Sequence, residues 1–146
     1  MPPVARSFEP ISMAKVARSA AEAKELLLLR PEDGVTMNRE RLLADAKAVA
    51  LRLAAGYTAP TPPEFRLPGP TARVALQLAV DGFVATGKAT AHDRTVSLVL
   101  AEVLSGGDTD VVDTLSEDAV LAGERRAFMR LVRHPATLAR VEHMLE

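Results

Sequence analysis

Five of the chain's ten prolines, Pro60, Pro62, Pro63, Pro68 and Pro70, fall between Tyr57 and Pro70. Proline has no amide hydrogen and a fixed φ, so it can neither continue a helix nor take an inner place in a sheet. So dense a run predicts an extended, polyproline-like linker over residues 57–69. The linker separates a helical segment, residues 1–56, from a C-terminal helical unit, residues 70–146, although the two can still pack together.

The flanking pattern reads as helices throughout. Aromatic residues make up 3% of the chain, with no Trp and only Tyr57 as tyrosine, so a core has to rest on Leu, Val and Ala. That composition favours helix over sheet, and no alternation is long enough to mark a strand. The expected fold class is mainly α: short helices in two units joined by the Pro-rich linker. Residues 1–7 are expected to fray. A first helical piece spans about Phe8 to Ala17, and a second runs from Ala20 to about Leu28. Ser19 with Glu22 three residues on makes a capping box between them, and Pro31, Asp33 and Gly34 mark a turn. Val35–Met37 is a candidate short extended piece. Asn38 caps a helix to about Ala55 with Leu42, Ala46, Val49 and Leu53 on one face, and Gly56 stops it.

Beyond the linker, Pro70 starts a helix to about Thr86 with a broad apolar face of Val74, Leu76, Leu78, Val80 and Phe83. Thr90 or Ala91 opens the next, carrying Val96, Val99, Leu100, Val103 and Leu104 to a stop at Gly106-Gly107. Thr114 or Ser116, with Glu117 and Asp118 in the first turn, opens another. Its stripe is Val120, Leu121, Ala127, Phe128, Leu131 and Val132. Pro135 begins a last helix with Leu138, Val141 and Leu145.

Several chemistries are excluded or disfavoured by composition alone. The absence of cysteine rules out disulfides, thiol catalysis and cysteine-held metal. A net charge of −1 gives no reason to expect nucleic acid or an anionic membrane. No apolar run approaches the ~20 residues of a membrane span, and no signal pattern opens the chain, so the expected location is the cytoplasm. His92, His134 and His143 are too dispersed for a helix-borne metal site. His92-Asp93 reads as first-turn capping. Glu22, Glu40 and Asp45 read as solvated carboxylates at helix starts or on charged faces, because a general acid needs burial to shift its pKa. Arg126, Arg130 and Arg133 form one basic stripe, a solvated face or a seat for phosphates or an acidic partner. Lys15 and Lys24 have the same two readings. No catalytic residue and no metal ligand is assigned.

Certain ordered words carry a resemblance. They are Ser19-Ala20-Ala21-Glu22-Ala23-Lys24-Glu25, Asn38-Arg39-Glu40-Arg41-Leu42-Leu43-Ala44-Asp45-Ala46-Lys47, Gly56-Tyr57-Thr58-Ala59-Pro60 and Leu67-Pro68-Gly69. After them come Gly87-Lys88-Ala89-Thr90-Ala91-His92-Asp93, Ser105-Gly106-Gly107-Asp108, Ser116-Glu117, Glu124-Arg125-Arg126-Ala127-Phe128 and the run from Thr137 to Leu145. In this order, from about Phe8 to the end, the chain resembles the C-terminal part of bacterial bifunctional proteins of the crotonase superfamily. Those proteins join a 3-hydroxyacyl-CoA dehydrogenase to an enoyl-CoA hydratase of fatty-acid β-oxidation. The resemblance implies NAD and acyl-CoA for the full-length family and, for this part, helices that wall the acyl-CoA site and pack on neighbouring subunits. Hydration needs paired glutamates and two amides holding the thioester oxyanion; oxidation needs a Gly-rich dinucleotide turn and a His–carboxylate pair. None of those segments is among these residues, so no cofactor is expected on this chain alone.

The chain departs from the family pattern in three places. Leu27 stands where the family usually has glycine at a helix exit, which would remove a left-handed stop. Gly123 stands where leucine is usual, and the family continues a few residues past Leu145. The expected role is structural or in assembly, without independent catalysis: packing on a catalytic half, or on another copy, through an exposed apolar face. The alternative from another class is a stand-alone helical protein-interaction module.

Overall fold

Residues 2–146 are described by the computed structural model, which is mainly helical. Its helices are α1 (Pro2–Ser12), α2 (Ala20–Glu25), α3 (Leu42–Ala54), α4 (Gly69–Ala85), α5 (Ala91–Ser105), α6 (Glu117–Leu131) and α7 (Pro135–Leu145). Two two-residue strands, β1 (Glu64–Phe65) and β2 (Leu115–Ser116), pair antiparallel. The chain divides into two compact units. One is Val16–Thr61; the other joins the N-terminal segment through Lys15 to Pro62–Glu146.

This division is not the linear one expected from the prolines. The first helix belongs with the C-terminal helices, because Phe8 is buried in one cluster with Leu76, Val80 and Ala101, and Val4 packs on its edge. Residues 2–7 are therefore helical rather than frayed; Met1 lies outside the described residues. The helix ends at Ser12, well short of Ala17. There the Lys15 amide bonds the Pro10 carbonyl at 2.8 Å, and Ala14 takes a left-handed conformation, φ +49°.

Helix α5 is the centre of the larger unit, packing against α1, α4 and α6. Its buried residues are Ser97, Ala101 and Ser105, at i, i+4 and i+8 on one face. All three are small, so the neighbouring backbones can come close. From α4 the buried partners are Gly69, Ala72, Leu76 and Val80. The sequence pattern had placed Val74 and Leu78 on the apolar face of α4, but both are exposed. That helix carries apolar residues nearly all round, so periodicity alone does not choose the face. Phe128, assigned to the α6 stripe, is also exposed, whereas Ala127 is buried. Ion pairs then join neighbours to α5: Arg94 to Asp81 of α4 at 2.6 Å and Glu102 to Arg130 of α6 at 2.6 Å. Such half-exposed pairs are worth about 0–1 kcal/mol each.

Residues 57–63 of the Pro-rich stretch take neither helix nor strand, but the stretch is not wholly unpaired. Glu64 and Phe65 bond across to Ser116 and Leu115. Gly69 then turns into α4 with φ +64°, so close to the Thr109 carbonyl that a Cβ would clash with it.

The smaller unit, Val16–Thr61, is built from local capping. Ser19 Oγ accepts from the Glu22 amide at 3.1 Å, but the Glu22 carboxylate takes the Arg18 N–H at 2.7 Å rather than the cap's own. Helix α2 ends in two bonds, Leu28 N–H to Ala23 O at 2.9 Å and Leu27 N–H to Lys24 O at 3.1 Å. That pattern is a Schellman close. Leu27 fills its left-handed position with φ +61°. The stop that a leucine was expected to remove is kept, at a steric cost of roughly 1–2 kcal/mol. Val35–Met37 forms no strand. Asn38 caps a 3-10 turn, Arg39–Arg41, that leads into α3. No residue of this unit is buried.

Two substitutions of opposite sign test this backbone account. Leu27→Gly should raise stability by about 1 kcal/mol by removing left-handed strain. Gly106→Ala should lower it by at least ~2 kcal/mol, because φ there is +86° and a Cβ would meet Thr109 Cγ2 at 2.7 Å and Leu67 Cβ at 2.8 Å. Thermal unfolding of both variants reads the two signs.

Candidate functional site

The sequence elements around Gly87 place an unusual density of polar chemistry at the start of α5. Helix α4 ends in a Schellman close, with Gly87 left-handed at φ +70° and the Lys88 amide bonded to the Phe83 carbonyl at 2.9 Å. Thr90 then caps α5 in a complete capping box. Asp93 Oδ2 accepts from the Thr90 amide and hydroxyl, both at 2.7 Å, and Thr90 Oγ1 accepts from the Asp93 amide at 3.2 Å. The expectation that His92-Asp93 belongs to a cap holds for Asp93.

Helix α7 supplies the rest of the cluster from more than forty residues away. Arg140 Nη1 lies 2.7 Å from Asp93 Oδ1, and Arg140 Nη2 donates to Thr90 Oγ1 at 3.2 Å. The two Thr90 hydrogen bonds, and after them Arg140, hold the Asp93 carboxyl at about 2, below its ordinary 3.8. Arg140 carried no local sequence signal, because its partner lies on another helix.

His92 turns away from that carboxylate. Its Nε2 is 3.0 Å from Thr137 Oγ1, and its Nδ1 is buried without a hydrogen-bond partner. The His134 ring stands 4.8 Å from it, tilted by 32°, while His134 Nδ1 accepts from the Ala136 amide to cap α7. Two histidines that look dispersed in sequence are thus neighbours. Burial, then the charges of Arg140 and His134, push the His92 pKa below 6.5, against an opposing pull from Asp93. Among the described residues no group of three metal-ligating side chains forms. Adjacent helical residues point about 100° apart, and the Asp93 carboxylate is engaged by Thr90 and Arg140. The arrangement ties the starts of α5 and α7 together.

Beside this junction lies a recess of about 360 Å3 within the larger unit. Ile11, Met13, Val80, Phe83 and Val96 give it apolar walls, and Lys88, Asp93 and Arg140 are its charged groups. A smaller recess of about 190 Å3 lies between α5 and α6, where Gly123 and Arg126 line it. A side chain at position 123 would enter open space, the nearest atom to a Cβ being Arg126 Nη2 at 3.8 Å.

The remaining candidates have structural partners or face solvent. Lys24 Nζ donates to the Pro31 and Asp33 carbonyls at 2.7 and 2.9 Å, clamping the turn after α2. Asp45 accepts from Thr36 Oγ1 and pairs with Arg41. Of the basic stripe, Arg130 bonds Glu102, Arg126 borders the smaller recess and Arg133 is exposed. Lys15, Glu40 and His143 are exposed. A dinucleotide needs a glycine-rich turn between a strand and a helix. Gly106-Gly107 instead follows α5 and leads by a loop to the two-residue β2, so that pair is not such a turn.

No protein-family model matches the chain, and no solved structure matches it. Over 141 residues it is 36% identical to a protein of Bacillus subtilis (strain 168) described as "Probable 3-hydroxyacyl-CoA dehydrogenase". The chain is a relative of one segment of that protein. The match takes in 96% of this chain but only 18% of the longer one. No described helix is long and apolar enough to cross a membrane.

The His92 environment makes a signed prediction. Folding disfavours the protonated ring, so the unfolded chain binds a proton first as pH falls below 6.5. The His92 contribution is then fully present above that pH and declines below it. Melting temperature should fall between pH 7 and pH 5, and His92→Gln should flatten part of that slope. Parallel slopes for the two proteins would contradict it.

Proposed function

We propose that this chain is a non-catalytic helical segment of the 3-hydroxyacyl-CoA dehydrogenase family, which packs on the catalytic parts of a larger protein. At finer grain it is the C-terminal part of a protein joining that dehydrogenase to a crotonase-type enoyl-CoA hydratase in the cytoplasm. The carrying observation is the similarity of nearly the whole chain to 18% of a longer protein described as a probable 3-hydroxyacyl-CoA dehydrogenase. The exposed side chains of Val16–Thr61 support it. Leu43 is 82% exposed and Met37 93%, with Leu51, Leu53 and Val16 all above 60%. Apolar surface of that extent on a segment without buried residues belongs against another surface. The pairing of Asp93 with Arg140 agrees with a structural role for that junction.

The test pairs this chain with the Bacillus subtilis relative lacking its matching segment. Size-exclusion chromatography with light scattering should show a one-to-one complex, and Leu43→Asp with Leu51→Asp should weaken it at least tenfold. The chain alone should not turn over 3-hydroxybutyryl-CoA with NAD, or crotonyl-CoA. Failure to associate, or turnover that scales with the isolated chain, would overturn the proposal.

A further inference from the structure

The recess beside the α5 start has the chemistry of a ligand site in its own right. At about 360 Å3 it falls within the range of small-molecule pockets, roughly 300–1,000 Å3. Its floor is the core itself, since Val80 and Ser97 line it and both are buried. Apolar walls from α1, α4 and α5 surround that floor. Arg140 and Asp93 neutralise each other, and each Arg140 Nη makes one bond, to Asp93 or to Thr90. Lys88 is different. It lines the same recess, and its ammonium has no hydrogen-bond or ion-pair partner among the described residues, whereas Lys24 has two carbonyls.

The backbone of Lys88 is not free to wander. Its amide closes the Schellman motif on Phe83, with the left-handed Gly87 before it. Lys88 is exposed, and its side chain reaches the rim of the apolar recess from a defined turn. The pocket carries two cations against one carboxylate, a net charge of +1.

The geometry points to a binding site for a small amphipathic monoanion. Its apolar body lies against Val80, Phe83 and Val96, and its carboxylate lies on Lys88. A neutral molecule of the same shape gains only the apolar contacts. A cation of the same shape meets the unpaired ammonium and loses by it. The site lies wholly within the unit that has its own core, so it does not depend on the assembly proposed above.

The test uses the full chain at pH 7.5 and low salt, titrated with hexanoate, 1-hexanol and hexylamine, and followed by amide chemical shifts. Hexanoate should bind at least tenfold more tightly than hexanol, and hexylamine more weakly than both. The shifts should centre on Ala14, Lys88, Ala89 and Ser97. Lys88→Gln should bring hexanoate to the hexanol level, while Lys47→Gln, on the other unit, should leave it unchanged. Equal affinities for the three probes would overturn the inference. So would no saturable binding, shifts centred elsewhere, or a Lys88→Gln protein that still prefers hexanoate. Each outcome is read without any catalytic partner, so it can fail while the packing proposal stands.

Discussion

Everything ordered in the larger unit depends on how closely other helices can approach α5. The residues that permit this are the small ones, Ser97, Ala101 and Ser105, which form its buried seam. Two of these are serines, and a buried hydroxyl needs a partner. Ser105 finds one within its own helix, donating to the Glu102 carbonyl at 3.1 Å, so the seam presents no unmet polar group from that position to its neighbour. Phe8, Leu76 and Val80 then fill the space that small residues leave. The core is narrow because few of the chain's large apolar side chains are buried in it, which makes each of those three disproportionately important.

Much of the local structure was legible. Ser19, Asn38, Thr90 and Ser116 were readable as caps, and each accepts a backbone amide near its helix start. Gly56 and Gly106 were readable as stops, and both are left-handed. These features are decided within a few residues, where capping chemistry and φ preferences act. What could not be read is decided between distant residues. The pairing of Glu64-Phe65 with Leu115-Ser116 spans some fifty positions and carries no alternation. The choice of Ala72, Leu76 and Val80 over Val74 and Leu78 depends on which side α5 occupies. The candidate site failed for the same reason: Asp93 was visible as a cap, but Arg140 and the nearness of His134 to His92 were not.

Leu27 shows how a local rule and a fold can disagree without the fold giving way. A leucine was expected to remove the left-handed stop, yet the bonds from Leu27 and Leu28 back into α2 keep it. Backbone pairing of two otherwise orphaned carbonyls outweighs a steric cost of the order of 1 kcal/mol. The same segment has no buried residue, so its order rests on caps, turns and side-chain clamps such as Lys24 on Pro31 and Asp33. Interactions of that kind give helices that are specified but weakly held. The contrast between a unit with a core and a segment without one is what a piece of a larger protein would present on the face it turns to its neighbour.

Native-state hydrogen exchange on the isolated chain tests that contrast most directly, because it measures opening free energy residue by residue. Amides in the middle of α5, from Leu98 to Glu102, should exchange only through global unfolding. Amides of α3 from Ala46 to Ala50 should exchange at least a hundredfold faster through local opening. Equal protection of α3 and α5 would mean that Val16–Thr61 holds itself as firmly as the cored unit, and the account of a segment awaiting a covering surface would be wrong.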